Sequence, residues 1–492
     1  MLRTGSHYLK ALDDGRTVWV GNERVDNVAT HPLTRDYARR VAEFYDLHHE
    51  PALQDELTFV DEDGERRSMM WFRPRDVEGL ARRRRYYTTI ARQIGATAFA
   101  RLPDANNSVM LTYIDDPEPW ATASVGTEGR GLAENIRTFW AFIREFDINT
   151  NPLFVDPQTD RGRESAQAEG PALRVVETRE DGIVVNGVKA IGTGTAFSDW
   201  IHVGVFFRPG IVAEQIIFAV LPTNTEGVTI VCRPSLVATD PKEHPLATRG
   251  DELDNTVIFD NVFIPWSGVF HLGSPEHAML SAQRVFDWLH HYIVARATIR
   301  AEVMVGLALL MAQSIGTDVI PAVQGRIARI VGYYETLRAH LLSSEYAGFV
   351  SPGGHWKPDI QLVDFGRAYH LENLALMRHE LIDLCGRASM IFPTEEQWQD
   401  EHLQKWLAPL QTGPTGRPYD RIKLSRAIQD LFLSNWGDRQ FVFENFQGTS
   451  LMMIRFLTMR RPEYAADGPA TELARQIAGL DLDLGVGLDD AA

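Results

Sequence analysis

ALRVVETREDGIVVNGVKAIGT, residues Ala172 to Thr193, decides how the chain is read, because its hydrophobic period differs from that of the segments on either side. β-Branched residues crowd it. Two turn pairs, Asp181-Gly182 and Asn186-Gly187, sit between apolar runs, and such pairs are the strongest short-range hairpin signal because glycine tolerates positive φ. Outward from this stretch, WIHVGVFF (200–207), EQIIFAVLP (214–222), GVTIVCRP (227–234) and NTVIFDNVFIP (255–265) continue as short strands divided by Gly, Pro and Asn. Residues 147–272 are expected to form a compact antiparallel barrel or sandwich.

On both sides the period is helical. LTRDYARRVAEFYDLHH (33–49), VEGLARRRRYYTTIARQIGATAFA (77–100) and GLAENIRTFWAFIREFD (131–147) make residues 1–146 mainly helical. In the last of these, Leu132, Ile136, Phe139, Trp140 and Ile143 share one apolar face. Beyond 273, residues 282–316 read as one long helix ending at Gly316, and 321–348 as a second with Pro321 at its start and a stripe of Val323, Ile327, Ile330, Tyr334, Leu337 and Leu341. DFGRAYHLENLALMRHELIDLCG (364–386) and RIKLSRAIQDLFLSNWG (421–437) complete a four-helix bundle with a tail over 273–492.

The composition excludes several classes. A formal net charge of −17 disfavours nucleic acid as a partner, since phosphate neutralisation requires Lys and Arg. The one dense basic run, Ala81–Arg85, reads as a solvated helix face. Cys232 and Cys385 lie far apart, so a disulfide scaffold and a cysteine-based metal site are not expected. The N-terminus has no apolar core of a signal peptide, and the longest apolar stretch, Val303–Ala312, is about half a membrane span. A cytoplasmic protein without membrane association is the expectation.

The order helical segment, β-domain, helix bundle, read with three local motifs, resembles the 4-hydroxyphenylacetate 3-hydroxylase family. RLPDANN (101–107) is similar to its Arg-x-Pro-Asp-Tyr-x-Asn. NPLFVDPQTDR (151–161) is similar to its Asn-His-x-x-x-(Asn/Asp)-Pro-x-x-Asp-Arg, and GVKAIGT (187–193) to its Gly-x-Lys-x-x-(Ala/Gly)-Thr. The likeness runs from RTGSHYLKAL near the start to NWGDRQFVFENFQG near the end. It implies an α+β chain with an acyl-CoA-dehydrogenase-like fold and the oxygenase component of a two-component monooxygenase. FAD, delivered as FADH2 by a separate NAD(P)H-dependent flavin reductase, would react with O2 to give a C4a-hydroperoxide, and the assembly would be a homotetramer. No nicotinamide fingerprint is present: GTGTA (192–196) leaves one strand and leads into another.

What the resemblance implies about residues is specific. Gln158, Thr159, Asp160 and Arg161 would form the flavin-contacting loop, and Thr193 would lie beside the flavin ring. Gly437, Arg439, Gly448 and Thr449 would approach its phosphates, although Gly437 also fits a helix C-cap. Arg101 would be the catalytic cation between flavin and substrate oxygen. Asn107, His290 and His291 complete the substrate-pocket candidates; adjacent residues on a helix point about 100° apart, so at most one histidine faces a given site. No metal site is expected.

Two positions depart from the family pattern. Its phenol-binding Tyr is Ala105 here, and its His is Pro152. Neither side chain can hydrogen-bond a phenol oxygen or take its proton. The expected substrate is therefore an aromatic, heteroaromatic or amine compound other than a simple 4-hydroxyphenyl acid. A phenol in a remodelled pocket is the alternative. A flavin-binding paralogue without oxygenase activity is a third reading. The family's dehydratase branch, which needs several cysteines, is set aside.

Overall fold

The computed structural model describes residues 2–94, 101–122, 124–127, 129–160, 162–163, 169–284 and 286–480. Four helices lead: α1 (Arg35–Leu47), α2 (Val77–Ile94), α3 (Pro103–Asp115) and α4 (Leu132–Phe146). The five residues assigned to the apolar face of α4 are all buried. Its end is held by Asp147 at φ 48°, whose carboxylate accepts Trp71 Nε1 at 2.5 Å and the Arg3 amide at 3.0 Å. The basic run on α2 is only partly a solvated face, with Arg85 exposed and Arg83 turned inward. Arg83 is wholly buried and donates to the carbonyls of Met69, Met70 and Phe72 and to the Tyr87 hydroxyl, while Arg84 pairs with Glu345 at 2.9 Å. Those carbonyls lie in and just after a tight 3₁₀ turn at Met69–Trp71, whose short length leaves acceptor capacity that a five-donor guanidinium takes up.

The RLPDANN stretch is the start of a helix. Pro103 occupies the first turn of α3, where its fixed φ is pre-organised and its missing N–H is no loss. All but one of the residues of α3 are buried, so this helix is a core element, with Arg101 just ahead of it.

The strands of the two larger sheets are β1 (Thr17–Val20), β2 (Glu23–Val25), β3 (Thr150–Leu153), β4 (Arg174–Thr178), β5 (Gly182–Thr193), β6 (Trp200–Val203), β7 (Ile217–Pro222), β8 (Val228–Cys232), β9 (Asp254–Pro265) and β10 (Val269–Leu272). They form a six-stranded sheet ordered β2-β1-β8-β9-β5-β4 and a four-stranded sheet ordered β10-β7-β6-β3. Most pairings are antiparallel, as the sequence suggests, but β1–β8 and β3–β6 are parallel. β1 and β2 come from within the segment read as mainly helical.

Asp181-Gly182 makes its hairpin, pairing Thr178 with Ile183. Asn186-Gly187 does not. β5 runs straight through it, with Gly187 at φ +128°, opposite a bulge in β9 between Phe259 and Val262. A Cβ on Gly187 would lie 2.8 Å from the Ala172 carbonyl oxygen, so the glycine admits a close backbone approach.

The C-terminal half comprises α5 (Phe286–Ile315), α6 (Pro321–Tyr346), α7 (Ile360–Cys385), α8 (Pro418–Phe432) and α9 (Asn435–Phe446). A separate helix, Pro275–Arg284, precedes α5. α5 packs on α6 and α7 on one side and on α2 and α3 on the other, which explains why apolar residues surround much of its circumference. The stripe of α6 holds at Ile327, Ile330, Leu337 and Leu341; Val323 and Tyr334 are only partly buried, and Tyr333 is the buried tyrosine. The stretch 421–437 breaks at Ser434, whose hydroxyl caps α9 by accepting the Gly437 amide at 2.9 Å.

Candidate active site

A cavity of about 530 Å³ opens where β3, β5, β8 and β9 meet Arg101 and α9. Its walls include Arg101, Pro152, Thr193, Asp254, Arg439 and Phe443, with Val155, Ile191, Val442 and Phe446 supplying much of the apolar surface. Four predicted site residues, Arg101, Pro152, Thr193 and Arg439, thus converge from three distant parts of the chain. The alternation of β5 and the capped start of α9 place Thr193 and Arg439 here.

Charged pairs fix the polar side of this cavity. Arg439 Nε donates to Asp254 Oδ2 at 2.8 Å and Nη1 to Glu252 Oε2 at 2.7 Å. Arg233 reaches the same Asp254 Oδ2 at 2.9 Å and Asp251 Oδ1 at 2.7 Å. Thr193 Oγ1 donates to Asp254 Oδ1 at 2.8 Å. Burial alone would raise the Asp254 carboxyl, but the hydrogen bonds and charges of Arg439 and Arg233 hold it well below the usual carboxylate range. Burial also works against the charge on Arg439; Glu252 and Asp254 overcome it and raise its pKa.

Arg101 is different. Its amide donates to Glu252 Oε1 at 3.0 Å and its carbonyl accepts the Tyr37 hydroxyl at 3.0 Å, so its backbone is held from two sides. Its Nε and Nη1 are buried without a hydrogen-bond partner among the described residues, and the guanidinium lies 5.6 Å from the Phe443 ring centroid. Burial lowers its pKa, partly offset by Glu252. A half-buried cation on a cavity wall, with donors unused among the described residues, is suited to an anionic ligand.

The remaining candidates lie elsewhere. Ala105 is wholly buried in α3 and does not line the cavity. Asn107 is a strut: its side chain donates to the Ile148 carbonyl at 3.0 Å and accepts the Thr150 amide at 3.1 Å, joining α3 to β3. His290 bridges Asp364 (Nδ1, 2.7 Å) and the Thr449 amide (Nε2, 3.1 Å), which fixes its Nδ1–H tautomer. His291 pairs with Glu345 at 3.0 Å in the core. Gly448, at φ +76°, lets the chain pass His290, to whose Nε2 a Cβ would come within 2.8 Å. Gln158 and Thr159 sit on the loop after β3, where Asp160 pairs with Arg163 at 2.7 Å; Arg161 lies outside the described residues. Gly437 is in the first turn of α9, which settles its place as the beginning of a helix.

Sequence reasoning missed Glu252, Asp254 and Phe443. The acidic run DELD (251–254) was the available signal, but nothing in its spacing says that it faces two arginines. Among the described residues no group of three or more His, Cys, Asp or Glu is placed to hold a metal ion, and both cysteines are buried and unpaired. No helix of the described residues is long and apolar enough to cross a membrane.

Family profiles described as "4-hydroxyphenylacetate 3-hydroxylase N terminal" and "4-hydroxyphenylacetate 3-hydroxylase C terminal" match residues 4–271 and 277–479. The chain is 58% identical to the 2,4,6-trichlorophenol monooxygenase of Cupriavidus pinatubonensis (strain JMP 134 / LMG 1197), over 99% of this chain and 94% of that one. It is 45% identical to the oxygenase component of the 4-nitrophenol 4-monooxygenase/4-nitrocatechol 2-monooxygenase of Rhodococcus opacus, over 97% and 91%. Among solved structures, the oxygenase component of 4-hydroxyphenylacetate 3-monooxygenase complexed with FAD and 4-hydroxyphenylacetate superposes with a TM-score of 0.88 at 30% identity, over 97% and 98% of the two chains.

The fold is that of a flavin-dependent oxygenase. The chain belongs to the 4-hydroxyphenylacetate 3-hydroxylase family. It is a reduced-FAD-dependent monooxygenase, the oxygenase component of a two-component system, with O2 as co-substrate and a separate flavin reductase as electron source.

Proposed function

We propose that this chain oxygenates phenols carrying electron-withdrawing substituents, bound as phenolates against Arg101. The observation that carries this reading is the pair of unpartnered, buried nitrogens on Arg101 beside a cavity whose Pro152 offers no acid or base. Chloro and nitro groups stabilise a phenolate, so such substrates arrive ionised and need no protein base. What they need is a fixed cation and an apolar enclosure, and the cavity has both. The two relatives named for trichlorophenol and for nitrophenol act on rings that differ in shape but share this acidity, which supports the reading.

The residues present fit a bound flavin. The apolar walls formed by Phe443, Phe446, Val155 and Ile191 suit a planar ring, and Thr193 and Arg439 would hold its polar edge. FAD, when bound in its reduced form, supplies with O2 the oxygen atom to be transferred. The chain's own part is to fix the phenolate by the Arg101 charge, to keep water out with the aromatic side of α9, and to hold Arg439 protonated through Glu252 and Asp254. Gln158, Thr159, Asp160 and Arg161 complete the flavin contacts in this reading, with Gly448 and Thr449 beside them.

The active form is a homotetramer in the cytoplasm. Support for assembly comes from the exposed apolar residues of the C-terminal half, among them Leu310, Trp406, Leu410, Phe446, Met452 and Phe456, more than a monomer surface ordinarily leaves open. The test is direct. The purified chain, given reduced FAD, O2 and 2,4,6-trichlorophenol, should consume the phenol, and with NADH alone it should oxidise nothing. Fast turnover of 4-hydroxyphenylacetate with neglect of chlorinated and nitrated phenols would overturn the proposal.

A further inference from the structure

Arg101, Thr193 and Arg439 reach the cavity from three separate parts of the chain, and two adjoining carboxylates join them. Glu252, wholly buried, accepts the Arg101 amide at Oε1 (3.0 Å) and Arg439 Nη1 at Oε2 (2.7 Å). Asp254 takes Arg439 Nε at 2.8 Å and the Thr193 hydroxyl at 2.8 Å. Between them Leu253 is buried and held at φ 55°, a left-handed conformation that a branched residue adopts only under constraint. The Gly194 amide fixes it by donating to the Leu253 carbonyl at 3.1 Å, so the strained residue is locked to the end of β5. Backbone strain stored beside a ligand cavity marks a place where side-chain aim matters.

We propose that Glu252 is a positioning residue of the oxygenase: through the Arg101 backbone on one side and Arg439 of α9 on the other, it sets where the Arg101 guanidinium stands relative to the bound phenolate. The inference rests on the reading that Arg101 binds a phenolate. Glu252 does not touch the substrate in this scheme. It ties the residue ahead of α3 to α9, so that the wall carrying Phe443 and the cation opposite it keep one spacing.

A simple charge role for Glu252 predicts the opposite sign. Removing a carboxylate near Arg101 makes the cavity more positive, and an anion would then bind more tightly. Removing an anchor lets Arg101 drift, and the anion binds less tightly. The two effects separate in two substitutions. Glu252→Gln loses the charge but keeps an acceptor for the Arg101 amide, whereas Glu252→Ala loses both.

The experiment is a visible-absorption titration of the full-length protein, loaded with oxidised FAD, against 4-nitrophenol, whose phenolate is coloured. Wild type should bind the phenolate, and Glu252→Ala should weaken it about tenfold or more, the loss expected when one anchoring hydrogen bond near a charge goes. Glu252→Gln should recover part of the binding lost in Glu252→Ala, because its one oxygen keeps the Arg101 amide while its NH2 faces Arg439 and gives up that tie. If Glu252→Ala does not fold, as judged by thermal denaturation, Glu252→Met replaces it at nearly equal volume with the same expected loss. Phenolate binding by the Ala or Met variant as tight as wild type, or tighter, overturns the positioning role. Absence of phenolate binding by wild type, or indifference to Arg101→Ala, overturns the phenolate reading itself and is told apart by those two controls.

Discussion

Asp104→Asn should stabilise the protein, and by an amount that grows with pH. Asp104 is wholly buried in the first turn of α3; its Oδ1 accepts the Ala105 amide at 2.8 Å and its Oδ2 has no partner. Burial pushes the carboxyl up to about 7, against the opposing pull of the Ala105 amide and of Arg83 and Arg296. An unfolded aspartate titrates near 3.9, so the folded state holds this proton about 3 units more tightly, worth about 4 kcal/mol once the group must ionise. The folded pKa is raised, so stability is full below about pH 4, falls as pH rises towards 7, and is level above that. Asparagine keeps the acceptor for Ala105 and has no charge to bury. The stability difference between variant and wild type should therefore grow by about 2–3 kcal/mol between pH 5 and pH 8. Urea denaturation followed by near-UV circular dichroism at the two pH values measures it. The same stability difference at pH 5 and pH 8 would mean that Asp104 contributes no pH dependence over this range, and would refute the reasoning.

Arg101→Ala should weaken phenolate binding by about 1.5–3 kcal/mol, roughly ten- to hundredfold, in an absorption titration, because it removes charged donors that have no partner among the described residues. Pro152→His places a hydrogen-bonding ring on the cavity wall and should improve binding of 4-hydroxyphenylacetate, read by calorimetry; unchanged affinity would remove Pro152 from the pocket. Ala105→Tyr, by contrast, adds a ring at a fully packed helix position and should lower stability by about 1–3 kcal/mol in urea melts. Gly448→Ala brings a Cβ within 2.8 Å of His290 Nε2 at φ +76°, and should cost about 1–3 kcal/mol while loosening the Thr449–His290 bond; an unaltered melting curve would contradict it.

The alternation of helical and strand periods was legible because it follows directly from which faces must be buried, and Arg101, Pro152, Thr193 and Arg439 do meet at one cavity. The Asn186-Gly187 pair misled for a local reason. Its glycine answers a close backbone contact across the sheet, a condition that has the same residue preference as a tight turn. Arg83 misled for another: a run of arginines says nothing about which one finds a ring of free carbonyls. Ala105 was expected beside the substrate, whereas its side chain is packed within α3 and does not line the cavity. The vacancy left by a smaller residue can be filled by neighbours far away in sequence. Glu252 and Asp254 were invisible because their role depends on the partners that α9 brings to them.

The parallel pairing of β1 with β8 has a consequence for how the chain is made. Thr17 pairs with Thr229, so its partner leaves the ribosome 212 residues later. At the usual elongation rate of about 5–20 residues per second, the β1–β2 hairpin waits roughly 10–40 s with one edge unsatisfied. During that time it is an open template, presenting Val18 and Val20, which the finished sheet buries. The sheet beside the cavity can be completed only after β8 has emerged, and β9, which carries Asp254, only after that. Slow synthesis or a shortage of chaperones should therefore harm the yield of this protein by strand-edge aggregation of N-terminal nascent chains, well before the bundle that carries Arg439 exists.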